Sequence, residues 1–490
     1  MREGLNLLPQ GDHLTDSTDM EHQQGIQLDL FTETRVRHGD GGRGGTEATA
    51  PVEQQVSAAS EARGPRRQRR ALTTNLMEAV CQSDNLNRAY KRVKANRGAA
   101  GIDQMTIEAL LPWLREHKQD LIRSLLEGSY QAQPVRAVEI PKPGGGTRQL
   151  GIPTVVDRLV EQAILQVLEP LLDPTFSASS YGFRPGRNAH QALKQARQYV
   201  AEGRRVVVDM DLERFFDRVN HDLVMARLAR HVEDKALLKI VRGFLETGIL
   251  QAGLHIERYE GTPQGGPLSP LLANLLLDDL DKELERRGHR FCRYADDCNI
   301  YVRTQAAGER VMVSITRFLE RKLRLVVNPN KSAVAFVWER SFLGHRLLPG
   351  GVLGIAPESL KRAKARIRQI TRRSRGISLA RMIGQLNGFV SGWVSYFRQA
   401  QCRNHLREMD RWIRRRLRQV RLKQCKRAKT LSRFLQSLGV PAWRAWILAC
   451  SGKGWWRMAG SPSAQEAMNN RWFEEQGLLS LRRRYASLTR

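Results

Sequence analysis

"FCRYADDCNI", residues 291–300, places Asp296 and Asp297 side by side between two short runs of strand-forming residues. The pattern reads as a hairpin with its acids at the turn. Adjacent carboxylates repel each other and gain nothing as a core feature, so the pair calls for a cation. A further stretch, "VVVDMDLERFFD" (206–217), reads as a buried β-branched strand with Asp209 and Asp211 on one alternating face at its end.

Nucleotide polymerisation needs an attacking 3′-hydroxyl and a leaving pyrophosphate stabilised together. Two Mg²⁺ ions about 3.5–4 Å apart do this, and Mg²⁺ prefers hard carboxylate oxygens. Asp211, Asp296 and Asp297 could supply the ligands, with the backbone carbonyl of Leu212 as another. An Asp-Asp pair alone reads more readily as a turn or cap, so the surrounding sequence must decide.

The chain has 490 residues, enough for two to four domains. Its 80 Lys and Arg against 50 Asp and Glu leave a formal net charge of +30. Such an excess points to a polyanionic partner. No stretch approaches the roughly 18 consecutive apolar residues of a membrane span, which favours nucleic acid over a membrane. The six cysteines form no C-x-x-C pair, so a zinc ribbon or disulfide framework is not expected, and a reducing cytoplasm fits.

Residues 1–70 show weak apolar periodicity and end in "GPRRQRR", reading as a disordered extension. "NLMEAVCQSDNLNRAYKRVKANRG" (75–98) predicts two short helices, with Ser83 or Asp84 capping the second. "VRAVEIPKPGGGTRQLGIPT" (135–154) predicts a hairpin. "GTPQGGPLSPLLANLLLDDLDKELERRG" (261–288) predicts a Gly/Pro loop and a strongly apolar helix. Strands and helices mix without a regular βαβ repeat, as in an α+β domain. Beyond about residue 357 the strand signals stop. Residues 361–430 hold 22 Lys and Arg but only two acids, Glu408 and Asp410. Leu406, Met409, Ile413, Leu417 and Val420 keep helical spacing, while Arg407, Arg411, Arg414, Arg415, Arg418 and Arg421 fall mostly on other faces. A packed helix with a bare cationic face suits phosphates.

With these stretches in view, the chain resembles group II intron-encoded reverse transcriptase/maturases, in particular the compact bacterial (group IIC-like) class. "YADD" (294–297) resembles the active-site hairpin of reverse transcriptases. "DLERFFD" (211–217) resembles their motif A, and "TPQGGPLSPLLANLLL" (262–277) the loop and helix beneath the incoming nucleotide. "IPKPGGGTRQLGIPTVVDRLVEQAI" (140–164) and "SSYGFRPGRNAHQAL" (179–193) are similar to the fingers segments. "LVVNPNKSAV" (325–334) and "SFLGHRL" (341–347) are similar to later palm motifs. "LNGFVSGWVSYFRQ" (386–399), "LREMDRWIRRRLRQ" (406–419) and the "GWWRMAG" tail resemble the maturase end.

The resemblance implies a right-hand polymerase, α+β in class, with an antiparallel palm sheet. Fingers and palm would span 71–356, a helical thumb/maturase domain 357–440, and a nucleic-acid-binding region 441–490. It implies RNA-directed DNA synthesis and binding of the intron RNA during splicing and retrohoming. The partners would be group II intron RNA, RNA template, DNA primer or target and deoxynucleoside triphosphates. Asp211, Asp296 and Asp297 would be the Mg²⁺ triad, with Asp297 a secondary ligand, and Asp209 a structural acid. Phe216 would be the gate that selects the sugar, with Phe215 in the core. Gln264, Gly265 and Gly266 would line the nascent base pair. Lys142 and Arg148 would grip the triphosphate, Lys331 would act on the pyrophosphate, and Tyr294 would pack against the primer end. Arg411, Arg414, Arg415, Arg418 and Arg421 would meet nucleic acid. Arg293 receives no role. The endonuclease pattern of longer relatives is missing, so target cleavage is not expected. An inactive polymerase retained for RNA binding, or a retron-like enzyme without a splicing role, are the rival readings. The intact acids and Phe216 speak against the first, and "GWVSYF" against the second.

Overall fold

A computed structural model describes residues 74–141, 147–251 and 254–489. They divide into two compact units, one of residues 74–192 and 206–334, the other of residues 193–205 and 335–489. The expected disordered extension lies outside the described residues.

The two predicted helices near the start are present, at Leu76–Cys81 and Ser83–Asn96. Neither Ser83 nor Asp84 is the cap. Gln82 occupies that position without a side-chain cap bond, and both residues already lie inside the helix. The Gln82 carbonyl accepts from the Leu86 N–H, so one helix leads into the next with no loop in which a polar cap could sit.

The strands of the first unit are β1 (Val135–Pro141), β2 (Thr147–Ile152), β3 (Val206–Met210), β4 (Ile249–Gln251), β5 (Leu254–Ile256), β6 (Arg290–Tyr294), β7 (Asp297–Val302) and the start of β8 (Ala333–Phe336). As predicted, β1 and β2 form an antiparallel hairpin, from Arg136 opposite Ile152 to Pro141 opposite Thr147. Its turn, with Lys142, is outside the described residues. Strand β4 runs parallel to β1 and pairs with β5, giving the order β2-β1-β4-β5. Strands of three residues are too short for a periodicity signal to reveal.

The second sheet has the order β6-β7-β3, continued by β8. Strand β3 lies antiparallel to β7, from Val206 opposite Val302 to Met210 opposite Cys298. Val206, Val207 and Val208 are all buried, which explains an unbroken β-branched run where one-sided burial would demand alternation. The helices Val155–Leu172 and Ser269–Arg286 belong to the same apolar core as this sheet.

In the second unit a hairpin of β9 (His345–Leu348) and β10 (Val352–Ile355) precedes helices only. Along the helix Arg403–Gln424 the expected apolar line Leu406, Met409, Ile413, Leu417 and Val420 is buried, at 0–3 % exposure. Asp410, one of the two acids of the basic stretch, is also buried. Its carboxylate accepts from the backbone N–H of Leu481 (3.0 Å) and Arg482 (3.2 Å) and from the Ser480 hydroxyl (2.9 Å). It thus fastens the first turn of the helix Leu481–Leu488, where orphan N–H groups favour an anion. Asp410→Ala strands those donors and is expected to cost about 1–3 kcal/mol. Urea unfolding checks the cost, and limited proteolysis at Gly477–Ser480 should accelerate; unchanged cleavage would refute the fastening role.

Candidate active site

The opening decapeptide is the hairpin β6–β7, with Tyr294 paired to Asp297 and Ala295–Asp296 as the two-residue turn. Asp296 therefore sits in the turn and Asp297 starts β7. Ala295 has φ 59°, a conformation rare for a residue with a Cβ and costing on the order of 1–3 kcal/mol.

What holds the turn is Arg293, to which the sequence reading gave no role. Its guanidinium is fully buried and forms a two-bond pair with Asp281 at 2.6 and 2.8 Å. It also donates to the Asn274 side-chain oxygen and to the Ala295 carbonyl, both at 2.9 Å. Burial opposes both charges and pushes the Asp281 carboxyl upward, but the Asp281 carboxylate holds the Arg293 proton more firmly than usual. The Arg293 backbone bonds to Ser179 and Tyr181, and Asn274 donates to the Gly182 carbonyl. A Cβ on Gly182 would overlap the backbone of Tyr294 and Ala295. The "SSYG" segment is thus laid directly against the acidic turn, which only glycine permits.

At the end of β3, Asp211 carries the neighbouring acid. Its carbonyl accepts from the Asn328 N–H and its own N–H donates to the Ser332 hydroxyl. The Lys331 ammonium lies 3.4 Å from the Asp211 carboxylate. Burial raises the Asp296 carboxyl, the Asp211 charge raises it further, and Arg148 and Lys331 oppose the rise. Asp297 is pushed well above the carboxylate range by burial and by Asp209, Asp296 and Asp211, against one hydrogen bond from Asn299. The charge of Asp211 thus reaches both Asp296 and Asp297, and that of Asp209 reaches Asp297. Among the described residues no three His, Cys, Asp or Glu side chains close into a ready-made metal cage. Mg²⁺ rarely uses one, taking one or two carboxylates plus water and substrate phosphates. A set of hard, mutually repelling oxygens fits such an ion.

Phe215 is buried, as expected, and Phe216 is half-buried, edge-on to it at 5.2 Å. The Phe216 carbonyl accepts from Thr262, tying motif "DLERFFD" to the Gly/Pro loop. That loop is tied in turn to β2, where the Gly151 N–H donates to the Gln264 carbonyl. Beneath it is Glu161, which the sequence reading missed. It accepts from the Leu268 N–H at 3.2 Å, and a Cβ on Gly266 would overlap its carboxyl. Burial pushes Glu161 up to about 8.

On the basic helix the arginines part company. Arg411 is exposed and Arg414 half-buried. Arg415 lies 4.2 Å over the Trp456 ring and donates to the Trp456 carbonyl, and Arg421 lies 4.4 Å over Phe434. Arg418 departs from the expectation of a nucleic-acid contact. It is 8 % exposed, donates to the Met468 carbonyl at 2.9 Å and is pulled down to about 10 by burial. The periodicity placed Arg418 off the apolar line, but the short helices after residue 455 cover that side too. Among the described residues no helix is long and apolar enough to cross a membrane.

Residues 140–347 match the reverse transcriptase (RNA-dependent DNA polymerase) family, and residues 360–439 the group II intron maturase-specific domain. Protein YkfC of Escherichia coli (strain K12) is 32 % identical over 314 residues, covering 56 % of this chain and 82 % of that protein. The group II intron-encoded protein LtrA of Lactococcus lactis subsp. cremoris is 36 % identical over 212 residues, 43 % of this chain and 35 % of LtrA. The chain thus spans about a third of LtrA's length. A partial Cas6-RT-Cas1–Cas2 complex is similar at 28 % identity and a TM-score of 0.34, over 50 % of this chain and 43 % of that one. The chain belongs to the group II intron-encoded reverse transcriptase/maturase family, whose reverse transcriptase domain uses divalent metal ions.

Arg293→Met leaves Asp281 buried without its partner and should cost about 3–5 kcal/mol. Replacing both, Arg293→Met with Asp281→Leu, should recover most of that in urea unfolding. Costs that simply add would show that the two residues act independently.

Proposed function

We propose that this chain copies RNA into DNA from deoxynucleoside triphosphates with two Mg²⁺ ions, and that it clamps its group II intron RNA as a maturase. The observation that carries the reading is the pairing of β3 with β7, with Met210 opposite Cys298, so that Asp211 and Asp297 stand at neighbouring ends of adjacent strands with Asp296 in the adjoining turn. Membership of the family supports it.

Fingers and palm are assigned to 71–356, thumb/maturase to 357–440 and a nucleic-acid-binding region to 441–490. When bound, the metal ions supply stabilisation of the charge that develops on the attacking and leaving oxygens. Asp211 and Asp296 would hold them, aided by the Leu212 carbonyl, with Asp297 secondary. Arg148 and Lys142 grip the triphosphate, Arg148 already acting on the charge of Asp296. Lys331, beside Asp211, turns to the pyrophosphate and steadies or protonates it. Gln264 and Gly265 line the base pair, Phe216 excludes a 2′-hydroxyl, and Tyr294 steadies the primer end. Arg411 and Arg414, with Arg415 and Arg421, face RNA, which is recognised largely by shape and backbone. Free cysteines fit work in the bacterial cytoplasm.

Asp211→Asn or Asp296→Asn should lower primer extension on an RNA template by about 10³-fold while intron-RNA affinity stays within twofold of wild type, by filter binding. Extension persisting within about tenfold would remove these acids from catalysis. Phe216→Ala should weaken discrimination against ribonucleotides by at least about tenfold; unchanged sugar selection would exclude it as the gate.

A further inference from the structure

The helices Arg403–Gln424, Ala428–Ser437 and Asn470–Glu475 enclose a cleft of about 450 Å³ that the polymerase reading does not use. Its walls include Arg421, Phe434 and Trp472, with Gln424, Gln476 and Ser378 supplying polar groups. The Arg421 guanidinium sits over Phe434, 4.4 Å from the ring centre. Trp472 stands edge-on to Phe434 at 6.4 Å and to the buried Phe473 at 4.9 Å. Packed against these two rings, Trp472 remains half-exposed. The Gln424 amide nitrogen donates to the Ile377 carbonyl, leaving its oxygen as an acceptor.

The electrostatics select the occupant. No acid lines the cleft. Glu474 and Glu475, on the same short helix as Trp472, are engaged by Arg483 and Arg471. Exposed Arg372 and Arg373 precede Ser378. A rigid ring, a guanidinium plane, amide groups for a base edge and basic side chains nearby are what an unstacked nucleotide of RNA requires. The volume falls within the roughly 300–1,000 Å³ of small-ligand sites, room for one nucleotide and not for a duplex.

We propose that this cleft captures a single unpaired RNA nucleotide, stacking its base on the Trp472 ring with the Arg421 guanidinium beside it. The proposal rests on the intron-RNA reading and deepens it from backbone binding to recognition of a flipped-out base.

The test uses the full chain and two RNA hairpins sharing one stem, one with a single bulged 5-iodouridine and one fully paired. The bulged hairpin should bind about tenfold tighter, and ultraviolet crosslinking should attach it to the peptide carrying Phe434 or Trp472. Trp472→Ala should erase the preference without changing the salt slope, and Trp472→Phe should keep most of it. Should Trp472→Ala fail to fold, the wild-type crosslink decides. A crosslink elsewhere, equal affinity for both hairpins, or a Trp472→Ala loss that is the same for both would overturn the proposal. A DNA hairpin with the same bulge bound equally well would overturn the RNA assignment. Tight but equal binding of both RNAs would leave the intron-RNA reading standing and remove only the cleft; no RNA binding at all would remove both.

Discussion

The buried pair of Arg293 and Asp281 is the constraint on which the acidic site depends. One guanidinium joins the helix Ser269–Arg286, through Asp281 and Asn274, to the hairpin turn, through the Ala295 carbonyl. Its own backbone joins the turn to Ser179 and Tyr181. Such pairs are poor sources of net stability, because desolvation offsets most of the attraction. What this one supplies is position. A left-handed alanine and a row of repelling carboxylates would relax outward unless several elements over-determined the turn, and Arg293 with Gly182 does so.

Around that turn the electrostatics are unfavourable by design of the site. Burial and mutual repulsion raise Asp296 and Asp297, and Lys331 offers Asp211 a weak, exposed partner at 3.4 Å. A long, solvated pair of this kind adds little to stability. The glycine loop is handled the same way. Glu161 accepts a single backbone N–H and lies so close to Gly266 that the loop has little freedom to move.

The helical unit uses its charge in two ways. Arg411 and Arg414 remain open, and Arg415 and Arg421 lie over Trp456 and Phe434 while staying half-exposed, whereas Arg418 is buried against the Met468 carbonyl and Phe473. Arginine serves both purposes because its guanidinium stacks on rings and stays charged when partly dehydrated. A count of basic residues therefore overstates the surface available to RNA. Asp410, far from diluting the cationic face, is spent on the last helix.

Much of this was determined by the sequence itself, wherever the signal is local. The "YADD" hairpin, the strand before Asp211, the β1–β2 hairpin, the apolar line from Leu406 to Val420 and the end of the strands near residue 357 follow from spacing and turn residues a few positions apart. The cap at Ser83 or Asp84 misled because a cap motif is only a propensity, and the chain passed from helix to helix through Gln82. Tertiary structure alone decided that Arg293 answers Asp281, that Glu161 underlies Gly266, that β4 lies beside β1, and that Arg418 is buried. Each depends on groups 12 to 114 positions apart being brought together. No periodicity records which distant partner a buried charge will find, because that is fixed only when the core closes and every polar group inside it must be satisfied.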